Sequence, residues 1–420
     1  MTVQVFEWIA LALGSVISLA ALSVVVLQAT ASFVRLRGTR RHQQLELELL
    51  RRDLDAEHRR FQRLVPLEYA WEGYRKFEVA SVQEECKGVT SLYLVPHDRR
   101  ALPPYHPGQF LTFAFRIPGH ERRVVRCYSL SGRPRDDHYR ITVKKVGPPR
   151  DQPELPAGLS SSYVNDCISR GDILDVKAPS GDFYIDMTRD DPVVLVAGGI
   201  GLTPLLSMLL AIADCGSKRE TWLFLGVTNR HDHVMKAQLE ALAVARENVH
   251  LVVCYANPGP EDVLGKDYHV DGFLSLEVLK KHLGSSNYDF YVCGPPPMMS
   301  LLIPGLEEWG VPEERVHFEA FGPATVTRVA RTPEMESIPV EFRRSGRVES
   351  WTGEHASLLE FVEALGIPIS YGCRSGNCGE CEVAIKSGKV RYLRQPSYKP
   401  ERGSCLVCIG VPDGPLTLEA

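Results

Sequence analysis

Between Tyr371 and Cys381 the sequence reads YGCRSGNCGEC, three cysteines within nine residues, separated by glycine, serine and asparagine. Thiols spaced C-x4-C-x2-C, joined by one more from further along the chain, suit a two-iron, two-sulfur cluster. Sulfurs that carry negative charge need backbone N–H donors around them, and a chain looping so closely needs residues of little bulk. Gly372, Ser375, Gly376 and Gly379 supply them. The segment GSCLVCIG offers the fourth ligand, with Cys408 the better candidate and Cys405 the reserve. The competing reading pairs Cys378 and Cys381 with Cys405 and Cys408 as a zinc ribbon, and it leaves Cys373 and its glycines without a purpose.

The rest of the chain must accommodate that module. At 420 residues it exceeds what one hydrophobic core serves, so two or three domains are expected. A formal net charge of −4 gives no support for nucleic acid as a partner, which calls for a basic face. Of eleven cysteines, Cys86, Cys127, Cys167, Cys215, Cys254 and Cys293 stand singly and five crowd the last fifty residues. That is no disulfide framework and fits a reducing compartment.

Residues 1–37 read as a membrane anchor. No charge occurs from Trp8 to Val34, and a helix of that length would reach about 40 Å, more than the ~30 Å hydrocarbon core. Arg35, Arg37, Arg40 and Arg41 follow, with only Glu7 charged before them, so the positive-inside rule puts the catalytic bulk in the cytoplasm, on a single-pass membrane protein. A cleaved signal peptide ending near Ala29-Thr30-Ala31 is the competing reading, disfavoured by the long apolar run and the lack of an early positive charge. Residues 38–66 read as an amphipathic helical linker. Leu47, Leu50, Leu54, Phe61 and Val65 follow a 3-4 spacing, with His58 in the remaining slot, so residues 44–65 suit a homodimer coiled coil as well as a spacer helix.

Over 67–187, short β-type runs such as FEVASVQ, GQFLTFAFRI and YRITVKKV, broken by Gly and Pro, predict an antiparallel barrel. Over 188–323 the texture changes. PVVLVAGG, TWLFLGV, HLVVCYA and DFYVCG read as strands buried on both faces, alternating with helical segments, which predicts an α/β nucleotide domain with a parallel sheet. A polar linker, 324–336, leads to the compact β-rich module at 337–420 that holds the cysteine loop. His231 and His233 lie on a polar stretch with no third ligand evident, and read as solvated residues.

C-R-x-G-x-C-G-x-C, matched from Cys373 to Cys381, resembles the plant-type ferredoxins, whose β-grasp (α+β) fold and last ligand, here Cys408, the resemblance implies. RCYSL (Arg126–Leu130), GLSSSY (Gly158–Tyr163), PSGDF (Pro179–Phe183), AGGIGLTP (Ala197–Pro204) and YVCGPPPMM (Tyr291–Met299) resemble, in order, the motifs of the ferredoxin reductase superfamily. The domain order is similar to that of phthalate dioxygenase reductase and related oxygenase reductases. The resemblance implies that Arg126, Tyr128, Ser129, Gly158, Ser160 and Ser161 hold the flavin. It gives Gly198, Gly199, Gly201, Thr203, Pro204, Gly294 and Pro295 to the dinucleotide, and brings Cys293 to the nicotinamide. Glu319 and Phe321 would face the flavin. Ser129, Cys293 and Glu319 are thus the catalytic candidates, and Cys373, Cys378, Cys381 and Cys408 the iron ligands.

Such a chain takes NADH or NADPH as donor, FAD in preference to FMN as the flavin, and a 2Fe-2S cluster. A flavin is the expected intermediary because hydride brings two electrons and the cluster takes one. The expected outcome is electron delivery to an external acceptor protein, an oxygenase, hydroxylase or desaturase at the lipid bilayer. The alternatives are a quinone reductase input subunit, disfavoured by the domain order, and a membrane scaffold without catalysis. Thr228, Asn229 and Arg230 leave the coenzyme open, with resemblance favouring NADH.

Overall fold

Apolar residues recurring at alternate positions build the first sheet. In the computed structural model, which describes residues 71–148, 152–321, 337–393, 396 and 398–420, it holds β1 (Arg75–Cys86), β2 (Val89–Pro96), β3 (Phe110–Phe115), β4 (Val124–Ser129), β5 (Tyr139–Lys144) and β6 (Ile173–Val176). The strands run antiparallel in the order β4-β3-β6-β1-β2-β5. A bridge between Leu130 and Ile141 ties the end of β4 back to β5, closing the barrel. Phe77, Leu92, Leu111, Phe113 and Tyr139 fill it. Helix α1 (Leu159–Asp166) is pinned alongside, Asn165 donating to the Val143 carbonyl and accepting from the Thr90 hydroxyl.

The second sheet is parallel throughout: β7 (Val193–Gly198), β8 (Thr221–Val227), β9 (Val249–Tyr255), β10 (Val270–Asp271), β11 (Asp289–Cys293) and β12 (Val316–Glu319), in the order β10-β9-β8-β7-β11-β12. Because successive side chains point to opposite faces, Val193, Leu195 and Ala197 pack with Leu205 and Leu209 on one face. Val194 and Val196 pack with Leu302 and Leu306 on the other. Those partners lie on α2 (Leu202–Asp214) and α5 (Pro296–Glu308); α3 (Lys236–Ala245) and α4 (Leu276–His282) complete the layers. Phe183 and Ile185, read with the barrel from sequence, join this second core.

The third module holds β13 (Ile338–Phe342), β14 (Arg347–Trp351), helix α6 (Leu358–Ala364), β15 (Glu382–Ser387), β16 (Val390–Tyr392), β17 (Ser404–Leu406), β18 (Gly410–Pro412) and β19 (Leu416–Leu418). Five strands form a mixed sheet, β14-β13-β19-β15-β17, and β16 pairs with β18. Ser357 caps α6 by accepting from the Glu360 N–H, and the Glu360 carboxylate reaches back to the Ala356 N–H.

All described residues belong to one unit, Pro66–Ala420. The expected anchor, the linker helix with its 44–65 dimer segment, and the 324–336 linker lie outside the described residues. Among the described residues no helix is long and apolar enough to cross a membrane.

Candidate active site

On β4, Arg126 and Tyr128 alternate with Cys127 and Ser129, and the register with β3 pairs Cys127 with Thr112 and Tyr128 with Leu111. The Tyr128 ring rests 5.8 Å from that of Phe113 and 6.3 Å from that of Phe115, and burial raises its hydroxyl above the usual range. Arg126 Nη1 donates to the carbonyls of Val125 (2.7 Å) and Gly372 (3.0 Å), so the guanidinium already grips the cysteine loop. At the start of α1, Ser161 Oγ accepts from the Val146 N–H and donates to the Gly158 carbonyl, which locks the turn. A Cβ on Gly158 would lie 2.8 Å from that hydroxyl, so a side chain there would displace the Ser161 hydroxyl from its bonds. Ser160 Oγ is buried without a protein partner, at a helix start whose first N–H groups suit a phosphate.

The second group gathers at the carboxyl ends of the parallel strands, where open α/β sheets place ligands. Gly199 turns there at φ +53° with open space beside it. A Cβ on Gly201 would stand 2.2 Å from the Cys293 carbonyl oxygen, and one on Gly198 would stand 2.5 Å from the Pro295 ring. The two glycine loops therefore interlock, and Gly294 passes directly over Gly198. Thr203 and Pro204 are buried in the first turn of α2, the Thr203 hydroxyl donating to the Ile200 carbonyl. Cys293 is opposite Glu319 in the β11–β12 register. Burial first, then the Glu319 charge, pushes its thiol well above the ordinary value, so it stays protonated. Ser129 Oγ lies 3.5 Å from Glu319 Oε2 with both residues buried, which brings the three catalytic candidates together from two domains.

The cysteine loop is shaped for sulfur. The N–H groups of Ser375 and Asn377 point at Cys373 Sγ at 3.4 and 3.3 Å, and the Cys373 N–H at Cys378 Sγ at 3.3 Å. Arg374, Gly376 and Gly379 turn the chain at positive φ, and a Cβ on Gly376 or Gly379 would strike Ile409 or Tyr398 at 2.5 Å. The four candidate ligands lie side by side, Cys373 next to Cys378 and Cys381 next to Cys408. Among the described residues no three Cys, His, Asp or Glu side chains form a single-ion site. Two pairs match a cluster with two irons, whereas one zinc would draw four sulfurs to one point. Cys405, on β17, is buried and lies apart from these four sulfurs.

A cavity of about 500 Å³ joins the three modules: Arg126 and Tyr128, Ser160, Glu319 and Phe321, and Cys373 and Asn377 all line it. The orphan Ser160 hydroxyl, the α1 start and the glycine cradle fit a flavin phosphate and a dinucleotide, and the paired thiols fit the cluster.

Three features escaped the sequence reading. Cys127, the variable residue of the R-x-Y-S stretch, packs in one cluster with Cys373 and Cys378. Glu380, inside the cysteine loop, accepts from Lys177 (2.5 Å) and Tyr74 (3.0 Å) of the barrel. His233 is buried and not solvated, its Nδ1 2.9 Å from the Tyr255 hydroxyl, whereas His231 is exposed as expected. Spacing along the chain carried no signal for contacts made across modules.

Comparison with known proteins agrees with this geometry. Residues 77–185 match the oxidoreductase FAD-binding domain, 195–302 the oxidoreductase NAD-binding domain and 344–412 the 2Fe-2S iron-sulfur cluster binding domain. A flavohemoprotein of Halalkalibacterium halodurans is 41% identical over 254 residues, 60% of this chain and 61% of that protein. The chain thus spans about three fifths of the curated relatives it matches first. The flavohem-like FAD/NAD-binding domain of nitric oxide dioxygenase from Vibrio cholerae O1 biovar El Tor is 31% identical at a TM-score of 0.54, over 60% of this chain and all of that one. Phthalate dioxygenase reductase, a modular structure for electron transfer from pyridine nucleotides to [2Fe-2S], aligns with 85% of this chain and all of its own at 25% identity and a TM-score of 0.52. The chain carries an oxidoreductase FAD-binding domain, an oxidoreductase NAD-binding domain and a 2Fe-2S iron-sulfur cluster binding domain, in that order.

Proposed function

We propose that the protein is a membrane-tethered, NADH-dependent reductase that delivers single electrons to an oxygenase-type acceptor at the membrane surface. The observation that carries this reading is the shared cavity, in which the residues suited to the flavin and the loop of paired thiols face one space. When bound, the flavin converts the two electrons of a hydride into the single electrons that the cluster handles. Ser129 and Glu319 offer a hydroxyl and a carboxylate at the flavin side, and Cys293 presents a neutral, buried thiol where the nicotinamide would lie. Glycines at 198, 199 and 201 let the backbone approach the dinucleotide, while Gly294 and Pro295 fix the loop above it.

The preference for NADH rests on Arg230, just past β8. In dinucleotide sheets the residues after the second strand meet the ribose, where a free arginine would welcome a 2′-phosphate. Arg230 is instead engaged by Glu261 (3.1 Å) and lies 3.8 Å from Asp262. Both carboxylates would repel a phosphate. The tether rests on the uncharged run from Trp8 to Val34 and the arginines after it. An oxygenase-type acceptor is supported by the likeness to phthalate dioxygenase reductase over the whole of that protein.

Full-length protein expressed in its membrane fraction tests the reading. Activity with ferricyanide should resist alkaline carbonate washing, require detergent for release, and favour NADH over NADPH in kcat/KM by about tenfold or more. Release by carbonate alone would refute the tether, and equal use of NADPH would refute the coenzyme assignment.

A further inference from the structure

Cys127 belongs to the flavin-domain strand β4, yet its side chain is committed to the cysteine loop. It packs in one small cluster with Cys373 and Cys378 against Ala114 and Val125, so its thiol adjoins both cysteines of the loop. On its other side it sits 3.4 Å from Thr112 Oγ1, its neighbour across β3. The approach is close by construction: a Cβ on Gly372 would come within 2.8 Å of Cys378 Sγ and 2.9 Å of Val125, and Arg126 holds the Gly372 carbonyl at 3.0 Å. A glycine and an arginine thus draw the loop onto the strand at the one residue that carries a thiol.

We propose that Cys127 is a positioning residue for the cluster: it donates an S–H···S hydrogen bond from the flavin domain to a sulfur of the Cys373–Cys378 edge and raises the cluster's reduction potential. The direction of donation follows from chemistry. Sulfurs bound to iron are thiolates and can only accept, so the thiol that binds no iron is the donor. Hydrogen bonds to cluster sulfurs stabilise the more negative, reduced state and are a recognised determinant of potential. Supplied from β4, between Arg126 and Tyr128, this bond ties the cluster's electron affinity to its being docked against the flavin domain.

The test is a redox titration of the full-length, cluster-loaded protein, followed by electron paramagnetic resonance, with acid-labile sulfide as the measure of loading. Three variants are compared: Cys127→Ser, which keeps a donor, and Cys127→Ala and Cys127→Val, which have none. Loaded Ala and Val variants should have a lower cluster potential, about three- to tenfold in the reduction equilibrium, with altered g values, while the Ser variant stays nearer wild type. Potentials and spectra unchanged in loaded Ala or Val variants would overturn the proposal. If Ala and Val fail to load while Ser loads, the need for a donor at this position is upheld. If all three fail to load, Cys127 is a ligand or a structural thiol and the proposal falls.

Discussion

His233 shows how a residue can follow sequence expectation in one respect and depart from it in another. It is no metal ligand partner to His231, but neither is it a surface group. It is packed beside Tyr255, whose ring stacks on Tyr268 at 4.8 Å. Burial, with smaller contributions from the charges of Lys236 and His269, lowers its pKa from 6.5 to about 4. The unfolded chain therefore takes up the proton first as pH falls. The stability that His233 contributes is complete above about pH 6.5 and is lost as pH drops toward about 4. Between about pH 7 and pH 5 this amounts to a loss of about 2 kcal/mol. A His233→Gln variant should lose less stability than wild type over that interval in urea unfolding; parallel losses would refute the assignment. The motif residues were legible because their roles are local, a turn that needs glycine or a hydroxyl that closes it. His233 and Cys127 were not, because their environments are made by segments far away in sequence.

At the level of elements, the continuous apolar runs of β7, β8, β9 and β11 were legible because a strand buried on both faces needs no polar alternation. Strands β16 to β19 were not, since three residues carry no period. Also hidden was the contact between the barrel and the cysteine loop. Lys177, just past β6, bonds Glu380 at 2.5 Å, lies 3.5 Å from the Cys378 carbonyl and stands 5.1 Å from the centre of the Tyr74 ring, whose hydroxyl also donates to Glu380. Burial first, then the Glu380 charge, raises the Tyr74 hydroxyl well above its usual range, so it remains a donor at any working pH. The ion pair is partly exposed, which limits its worth to about 1 kcal/mol, enough to shift the docked population of the loop several-fold. Lys177→Met should slow electron passage from flavin to cluster several-fold in stopped-flow reduction by NADH, and added salt should slow the wild type but not the variant. A wild-type rate indifferent to salt would argue that packing around Val125 and Cys378 holds the loop unaided.

For the molecule as a whole, domain order was legible from texture, while the convergence of three modules on one cavity was not, because no single segment encodes it. That convergence predicts a division of labour. The flavin and nucleotide residues, Ser160 and the interlocked glycine loops among them, are held by the first two cores and do not depend on the sulfur pairs. The alignment of a separate FAD/NAD-binding domain with 60% of this chain is consistent with those two modules standing together. Replacing Cys408 by alanine removes one member of the Cys381–Cys408 pair, so the cluster should be lost. Reduction of a small acceptor such as ferricyanide, which can meet the flavin directly, should then persist within about twofold, while reduction of a one-electron acceptor protein such as cytochrome c should fall by about tenfold or more. Parallel loss of both activities, with flavin still bound, would mean that electrons leave only through the sulfur pairs, and that the cavity has no exit at the flavin.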